Sequence, residues 1–175
     1  MTFYKKGYHL VRNIIDKDEA FRLCNHLNER NDGDLKDKQM IGTPSFYNDP
    51  VMQKVHKDLL PKIEMYTGLE LFKTYTYARV YKKDDVLRIH LDRPACEISL
   101  TMNLGGDEWS IWILDRDENP VKVDLNPGDI LIYRGCEIKH WRGKFEQDTH
   151  TQAFMHYVDK YGLYAWAIDD IKQQP

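Results

Sequence analysis

The chain has 175 residues, of which 42% are apolar and 30% are charged, and its formal net charge is -3 at pH 7. This length suits one folded domain, and the composition excludes a disordered or fibrous protein. No run approaches the roughly 20 apolar residues that cross a bilayer, and the first residues lack the apolar segment of a signal peptide. Twenty-five basic residues face 28 acidic ones without a basic block, so the charge does not support a nucleic-acid partner.

The three cysteines form neither a metal-binding pattern nor a disulfide pattern. Cys24, Cys96 and Cys136 are an odd set without paired spacing, which excludes a zinc knuckle. Reduced thiols are typical of a reducing compartment, so we expect a cytoplasmic protein. The sequence gives no indication of the oligomeric state.

The first 70 residues are predicted to be mainly helical. Residues 16–30 predict a helix with Asp16 as its N-terminal cap and an apolar stripe on one face. The polar stretch from Asn31 to Ser45 is expected to be a surface loop that could lie over a site. A second helix is predicted from Asp49 to Gly68, and Pro61 could kink or divide it.

From Leu71 onward the apolar residues recur with a period of two, which indicates strands. Many short strands without intervening helices favour an antiparallel sandwich or jelly roll, with the N-terminal helices packed on one sheet. We therefore predict a mainly β protein of the α+β class, as a single domain of residues 1–175 with a helical part (1–70) and a sheet core (71–160). The predicted strands are rich in β-branched and aromatic residues and cover 71–81, 97–104, 108–114, 121–125, 129–133 and 151–158.

His90 and Asp92 are candidate metal ligands, because residues i and i+2 of an extended chain point to the same side. His140, on a later strand, is the candidate third ligand. Two imidazoles and one carboxylate leave three coordination positions open, as in non-haem iron(II) oxygenases. A structural zinc site would instead close four positions, usually with thiolates. A His-x-Asp pair also occurs by chance as surface polarity, so its sequence context decides its weight.

Two longer segments provide that context: YARVYKKDDVLRIHLDRPACEISLTMNL at 77–104 and LNPGDILIYRGCEIKHWRG at 125–143. In this order they resemble the prolyl-hydroxylase-like branch of the iron(II)- and 2-oxoglutarate-dependent oxygenases, over residues 71–158. The resemblance implies a cupin-like, double-stranded β-helix and iron(II) bound by His90, Asp92 and His140. It also implies that dioxygen and 2-oxoglutarate are consumed, with release of succinate and carbon dioxide. The coupled reaction would hydroxylate an unactivated C–H bond, in a prolyl or other amino-acid residue or in a small molecule.

The resemblance also suggests residues that hold 2-oxoglutarate. In this family a tyrosine on the strand before the iron motif commonly contacts the co-substrate, and Tyr81 is similar in placement. On the strand after the motif, Thr101 and Asn103 share a face and could contact the same molecule. The family usually places an Arg or Lys beyond the distal histidine to pair with the far carboxylate, and His150 occupies that position here. Arg142, on the same strand as the distal histidine, is an alternative anchor because its fork suits a carboxylate and stays charged.

Two other classes stay open. A cupin-like metal protein would bind or isomerise a small molecule through the same ligands without oxidising it. A non-catalytic β-sandwich binding module would use tryptophan and tyrosine side chains as an adhesive face. Neither alternative turns over 2-oxoglutarate. The sequence does not identify the substrate, which could be a small molecule or a peptide.

Overall fold

The computed structural model describes residues 2–172, which form two antiparallel sheets and three α-helices. The helices are α1 (Thr2–Lys6), α2 (Lys17–Asn28) and α3 (Pro50–Thr67), and 3-10 helices cover Pro94–Cys96 and Ala165–Lys172. The strands are β1 (Tyr8–Val11), β2 (Ser45–Tyr47), β3 (Leu71–Lys82), β4 (Leu87–His90), β5 (Ile98–Gly106), β6 (Ile111–Leu114), β7 (Pro120–Val123), β8 (Ile130–Arg134), β9 (His140–Arg142) and β10 (Thr149–Asp159).

The two longer helices begin and end at signals that are present in the sequence. The backbone N–H of Glu19 donates to Asp16 at 2.8 Å, which caps α2. Asp49 accepts from two backbone N–H groups in the first turn of α3. This helix ends at Gly68, whose φ of 71° lies in the left-handed region that glycine tolerates. Pro61 lies inside α3 without dividing it.

The large sheet has the strand order β1-β8-β5-β10-β3-β2, and the small sheet has the order β4-β9-β6-β7. In β8, Ile130 and Ile132 belong to the core that includes α2 and α3, whereas Leu131 and Tyr133 pack against the small sheet. Because both faces of this strand are covered, its apolar run is continuous. The predicted jelly roll, with the helices on one sheet, is confirmed.

The first 70 residues also contribute strands that the sequence did not indicate. β1 pairs with β8 and β2 pairs with β3, so these strands form the two edges of the large sheet. Each has four residues or fewer, which is too short for a period of two to be recognised.

The domain predicted for 1–175 includes positions 1 and 173–175, which lie outside the described residues. Within 2–172, no helix has both the length and the apolar character needed to span a bilayer.

Candidate metal centre

The sheet register brings the three predicted metal ligands together. His90 at the end of β4 pairs directly with His140 at the start of β9. The Nε2 atoms of these residues lie 3.7 and 3.5 Å from the same oxygen, Oδ1 of Asp92. Two donors on one ion at about 2.1 Å each can lie up to about 4.2 Å apart, so both separations allow a shared ion. One ligand atom from each of the three residues lies within 4.8 Å of the others.

Backbone carbonyls hold both imidazoles in the tautomer that a metal site needs. His90 Nδ1 lies 2.8 Å from the carbonyl oxygen of Arg88, and His140 Nδ1 lies 3.0 Å from that of Ile138. A carbonyl oxygen can only accept, so each Nδ1 carries the proton. The lone pair of each neutral ring is therefore on Nε2, the atom that faces Asp92.

Charge in this cluster is arranged for cation binding. Burial raises the pKa of Asp92, but His140, His156 and Ser99 outweigh it and hold the pKa at about 2, so the carboxylate is ionised. Burial lowers the pKa of His140, and the Asp92 carboxylate more than offsets this and raises it. Burial and the neighbouring His140 lower the pKa of His90. An ionised carboxylate oxygen thus lies beside the Nε2 atoms of both imidazoles, and its negative charge favours a cation bound between the three groups.

A second group of possible ligand atoms shares Asp92 and adds Cys96 and His156. These two side chains already have partners within the protein. The Cys96 Sγ lies 2.9 Å from the Tyr75 hydroxyl, and His156 Nδ1 lies 2.9 Å from the Ser99 hydroxyl. In the first group, His140 Nε2 has only a long 3.4 Å contact with the Tyr133 hydroxyl besides the metal-ligand atoms, so this group is the better metal centre.

The three ligands lie in the wall of a cavity of about 340 Å³. Tyr81, which was predicted to touch the co-substrate, is buried and lines this cavity. Alternate side chains of β3 form one wall, and the loop between α2 and β2 contributes another. The cavity is thus closed on one side by the loop that the sequence placed near a site. Its β3 residues are Tyr75, Tyr77, Arg79 and Tyr81, and its loop residues are Asp37, Lys38 and Gln39.

Arg142 is buried behind the cavity wall, near the lining residues Tyr81 and Tyr133, and has unused donors. It follows His140 by two residues on β9, and its side chain is 1% exposed. Nη1 donates to the carbonyl oxygen of Trp109, whereas Nε and Nη2 have no hydrogen-bond partner among the described residues. Burial lowers the pKa of Arg142 to about 10, which still leaves it charged at neutral pH. A buried cation with free N–H groups is the arrangement that an anionic ligand would complete.

Three other predicted co-substrate residues are engaged elsewhere. Thr101 accepts from the Gln152 amide at 2.5 Å, and the Asn103 amide donates to the carbonyl oxygen of Leu125 at 2.6 Å. Both ring nitrogens of His150 lie 2.8 Å from oxygen atoms of the protein. Burial, with Arg142 nearby, lowers the pKa of His150 to about 4, so the ring is neutral and its one N–H can donate to only one of these oxygens. Like Arg142, these three residues are not among those that line the cavity within residues 2–172.

Sequence reasoning missed an ion pair that fixes the loop. Arg79, which is 1% exposed, donates from Nη2 to Asp37 at 2.5 Å and from Nη1 to Gln39 at 3.1 Å. The Tyr77 hydroxyl also donates to Asp37. Arg79 alternates with tyrosines along β3, which could have indicated an inward position. Asp37 carries no comparable signal, because it lies 42 residues away in an irregular loop.

Comparisons with known proteins agree with this geometry at the level of the fold. A prolyl-4-hydroxylase from Pseudomonas putida matches with a TM-score of 0.72 and 15% identity, over 89% of this chain and 94% of that chain. HygX from Streptomyces hygroscopicus, solved with nickel and 2-oxoglutarate bound, matches with a TM-score of 0.72 and 15% identity, over 91% and 85% of the two chains. This chain has the fold of the 2-oxoglutarate- and iron(II)-dependent oxygenases.

The oxygenase fold alone does not decide the reaction. The α-ketoglutarate-dependent epimerase SnoN from nogalamycin biosynthesis matches with a TM-score of 0.75 and 12% identity, over 90% of this chain and 80% of that chain. Hydroxylation and epimerisation are thus both found among proteins with this architecture. No protein-family model matches the sequence, and no curated protein is similar to it in sequence.

Proposed function

We propose that the protein is an iron(II)- and 2-oxoglutarate-dependent dioxygenase that hydroxylates an unactivated C–H bond. The observation that carries this proposal is the convergence of His90, Asp92 and His140 in the cavity wall, with two Nε2 lone pairs and one carboxylate oxygen facing each other. This donor set suits iron(II), and it leaves positions for a chelating co-substrate and for dioxygen. The solved oxygenases with bound iron or with bound 2-oxoglutarate support the same assignment.

The three ligands would hold the iron, and the rest of the chain would prepare the site. Bound iron(II) supplies the redox chemistry that couples decarboxylation of 2-oxoglutarate to oxidation of a C–H bond. The carbonyl oxygens of Arg88 and Ile138 keep the two imidazoles in the binding tautomer. The tyrosines of β3 line the cavity and limit the access of water to the substrate.

Arg142 would bind the far carboxylate of 2-oxoglutarate. It lies two residues from an iron ligand, it is charged, and its Nε and Nη2 groups lack protein partners. A guanidinium edge with two free N–H groups matches a carboxylate bidentately. Tyr81, buried in the cavity wall, would contact the same molecule. His150 does not suit this role, because it is neutral and both of its ring nitrogens have protein partners.

The substrate would enter the part of the cavity bounded by β3 and the loop from Asn31 to Ser45. A prolyl or other amino-acid residue, in a peptide or free, and other small molecules are the candidate substrates. The Arg79–Asp37 pair fixes the loop at the cavity wall, so this loop would contribute to the choice between them. The free thiols of the three cysteines support a reducing, cytoplasm-like compartment.

The decisive experiment is the addition of iron(II) and 2-oxoglutarate to the protein without oxygen, followed by exposure to air. We expect a weak visible charge-transfer absorption band in the first step and succinate in the second. Both signals should be lost in His90→Ala and Asp92→Ala variants that remain folded. His9→Ala, which removes an imidazole from β1, is the matched control and should keep both signals.

A cupin-like protein that binds a metal without oxidising a substrate would give neither the band nor succinate. The same negative result with folded, iron-loaded protein would therefore reject the proposed reaction. Succinate formation that survives in Asp92→Ala would reject the proposed ligand set.

A further inference from the structure

The Asp92 carboxylate has a second oxygen, Oδ2, and the contacts with the two imidazoles are made by the other oxygen, Oδ1. Oδ2 lies 2.8 Å from the hydroxyl of Ser99, a fully buried residue on β5. The Ser99 hydroxyl is also 2.9 Å from His156 Nδ1 and 3.0 Å from the carbonyl oxygen of Cys96. The hydroxyl thus joins a candidate metal ligand to His156, a cavity-lining histidine that lies outside the proposed ligand set.

The numbers of donors and acceptors determine the direction of each hydrogen bond in the series from His156 through Ser99 to Asp92. A hydroxyl has one proton to donate and two lone pairs that accept. A carboxylate and a carbonyl oxygen can only accept, and the charge of Asp92 makes it the stronger acceptor. The Ser99 proton therefore goes to Asp92, and His156 must donate its Nδ1 proton to Ser99. The reverse direction would leave two acceptors facing the hydroxyl oxygen without a proton between them.

His156 is held in the position that this donation requires. It lies directly opposite Ser99 in the register between β10 and β5, and it is 6% exposed. Its ring packs against the Tyr75 ring, with the centroids 4.6 Å apart, and His56 Nε2 donates to the backbone carbonyl oxygen of His156 at 3.1 Å. The Tyr75 contact restricts rotation of the imidazole, and the bond from His56 fixes the backbone of β10 at this residue, so Nδ1 stays directed at Ser99.

Backbone packing confines Oδ2 from another side. A Cβ atom at Gly135 would lie 2.4 Å from Oδ2 of Asp92 and 2.2 Å from the carbonyl oxygen of Cys96, so only glycine fits beside the carboxylate. The backbone N–H of Asp92 also donates to the carbonyl oxygen of Gly135 at 2.9 Å. The carboxylate is thus fixed both at its backbone and at Oδ2.

We propose that Ser99 and His156 are positioning residues that hold Asp92 as a ligand through Oδ1 alone. The inference rests on the proposed function, because its consequence concerns the open positions of the metal. If Oδ2 also bound the ion, the carboxylate would occupy one of the three positions that a chelating co-substrate and dioxygen require. The hydrogen bond from Ser99 holds Oδ2 away from the ion and so keeps this coordination position open.

The test is anaerobic titration of the full-length protein with cobalt(II), whose visible absorption spectrum reports coordination number and affinity together. Ser99→Ala should raise the cobalt dissociation constant by about 10- to 100-fold, as loss of a supporting hydrogen bond typically does. It should also change the shape of the cobalt spectrum, because Oδ2 becomes free to bind. A purely structural role of Ser99 would lower the melting temperature without changing the spectrum of the bound ion.

Two variants of His156 test the same hydrogen bonds without depending on whether Ser99→Ala folds. His156→Asn retains an N–H donor near the position of Nδ1 and should keep the wild-type spectrum, whereas His156→Leu removes the donor and should shift the spectrum towards that of Ser99→Ala. Thr67→Val is the control, because it removes a buried hydroxyl from α3 that donates to the Ile63 carbonyl oxygen. It should leave cobalt binding unchanged.

The outcomes separate this inference from the proposed function. Wild-type protein that binds no cobalt overturns both. Wild-type protein that binds cobalt, together with a folded Ser99→Ala or His156→Leu variant of identical affinity and spectrum, overturns the positioning role and leaves the metal centre intact.

Discussion

Replacing Arg142 with glutamine should weaken 2-oxoglutarate binding by a predictable amount. Arg142 has two nitrogen atoms, Nε and Nη2, whose N–H groups have no partner among the described residues. A far carboxylate that accepts from both forms two charge-assisted hydrogen bonds of about 1.5–3 kcal/mol each. Glutamine retains one neutral donor, so we expect a net loss of about 3 kcal/mol. At 1.4 kcal/mol per factor of ten, this is about a 100-fold rise in the dissociation constant.

The assay is anaerobic titration of iron-loaded protein with 2-oxoglutarate and, in parallel, with 2-oxopentanoate. The second compound replaces the far carboxylate by a methyl group and keeps the chelating end. Wild-type protein should prefer 2-oxoglutarate by about the same 100-fold, and Arg142→Gln should bind the two compounds with similar affinity. Arg88→Gln, which removes an exposed charge from β4, is the control and should change either affinity less than about threefold.

Two results would refute this reasoning. An unchanged affinity of Arg142→Gln for 2-oxoglutarate would mean that another group binds the far carboxylate. An equal loss for both compounds would mean that Arg142 supports the fold or the metal, because only 2-oxoglutarate has the far carboxylate.

Three further predictions concern stability, each measured by urea unfolding. Asp37→Ala leaves the Arg79 charge buried and unpaired and should lower the free energy of unfolding by about 3 kcal/mol; no loss would mean that the loop does not close on Arg79 in solution. Asp49→Ala removes the α3 cap and should cost about 2 kcal/mol at pH 7. Burial raises the pKa of Asp49, but the hydrogen bonds to its carboxylate outweigh burial and lower the pKa in the folded protein. The carboxylate therefore stabilises the fold fully above pH 3.8, and this stabilisation is lost as the pH falls through the lower pKa of the folded state. The gap between wild type and Asp49→Ala should therefore shrink at about pH 2, and a constant gap would contradict the assignment. Gly68→Ala should cost about 1 kcal/mol because φ is 71° there, and a neutral effect would show that the helix end relaxes.

Local signals predicted much of the scaffold. The caps Asp16 and Asp49 and the terminating Gly68 act within one helical turn, so neighbouring residues are enough to recognise them. The period of two after Leu71 is also local, and it predicted strands β3, β5, β8 and β10 within a few residues. β1 and β2 were missed because they are short and are fixed by pairing with β8 and β3 rather than by their own pattern.

The candidate site was predictable only in part. The spacing of His90 and Asp92 in an extended segment predicted two ligands, and His140 on a later strand was the candidate third ligand, which the resemblance supported. The contacts around them depend on the register between distant strands, which places His140 opposite His90 and His156 opposite Ser99. Strand alternation also could not predict whether Thr101, Asn103 and His150 are free to contact the co-substrate. Hydrogen-bond partners from other segments determine which polar side chains remain free.

The sequence by itself therefore determined where the two longer helices and the longer strands lie, which residues alternate along a strand, and which side chains are able to bind a metal. These properties depend on a few neighbouring residues and on their intrinsic chemistry. Tertiary structure decided that Arg79 meets Asp37, that Ser99 holds one oxygen of Asp92, and that Arg142 keeps two free donors in the interior. Such contacts arise only when two sheets bury their facing sides together, because burial then requires each polar group to find a partner that the chain supplies from a distant segment.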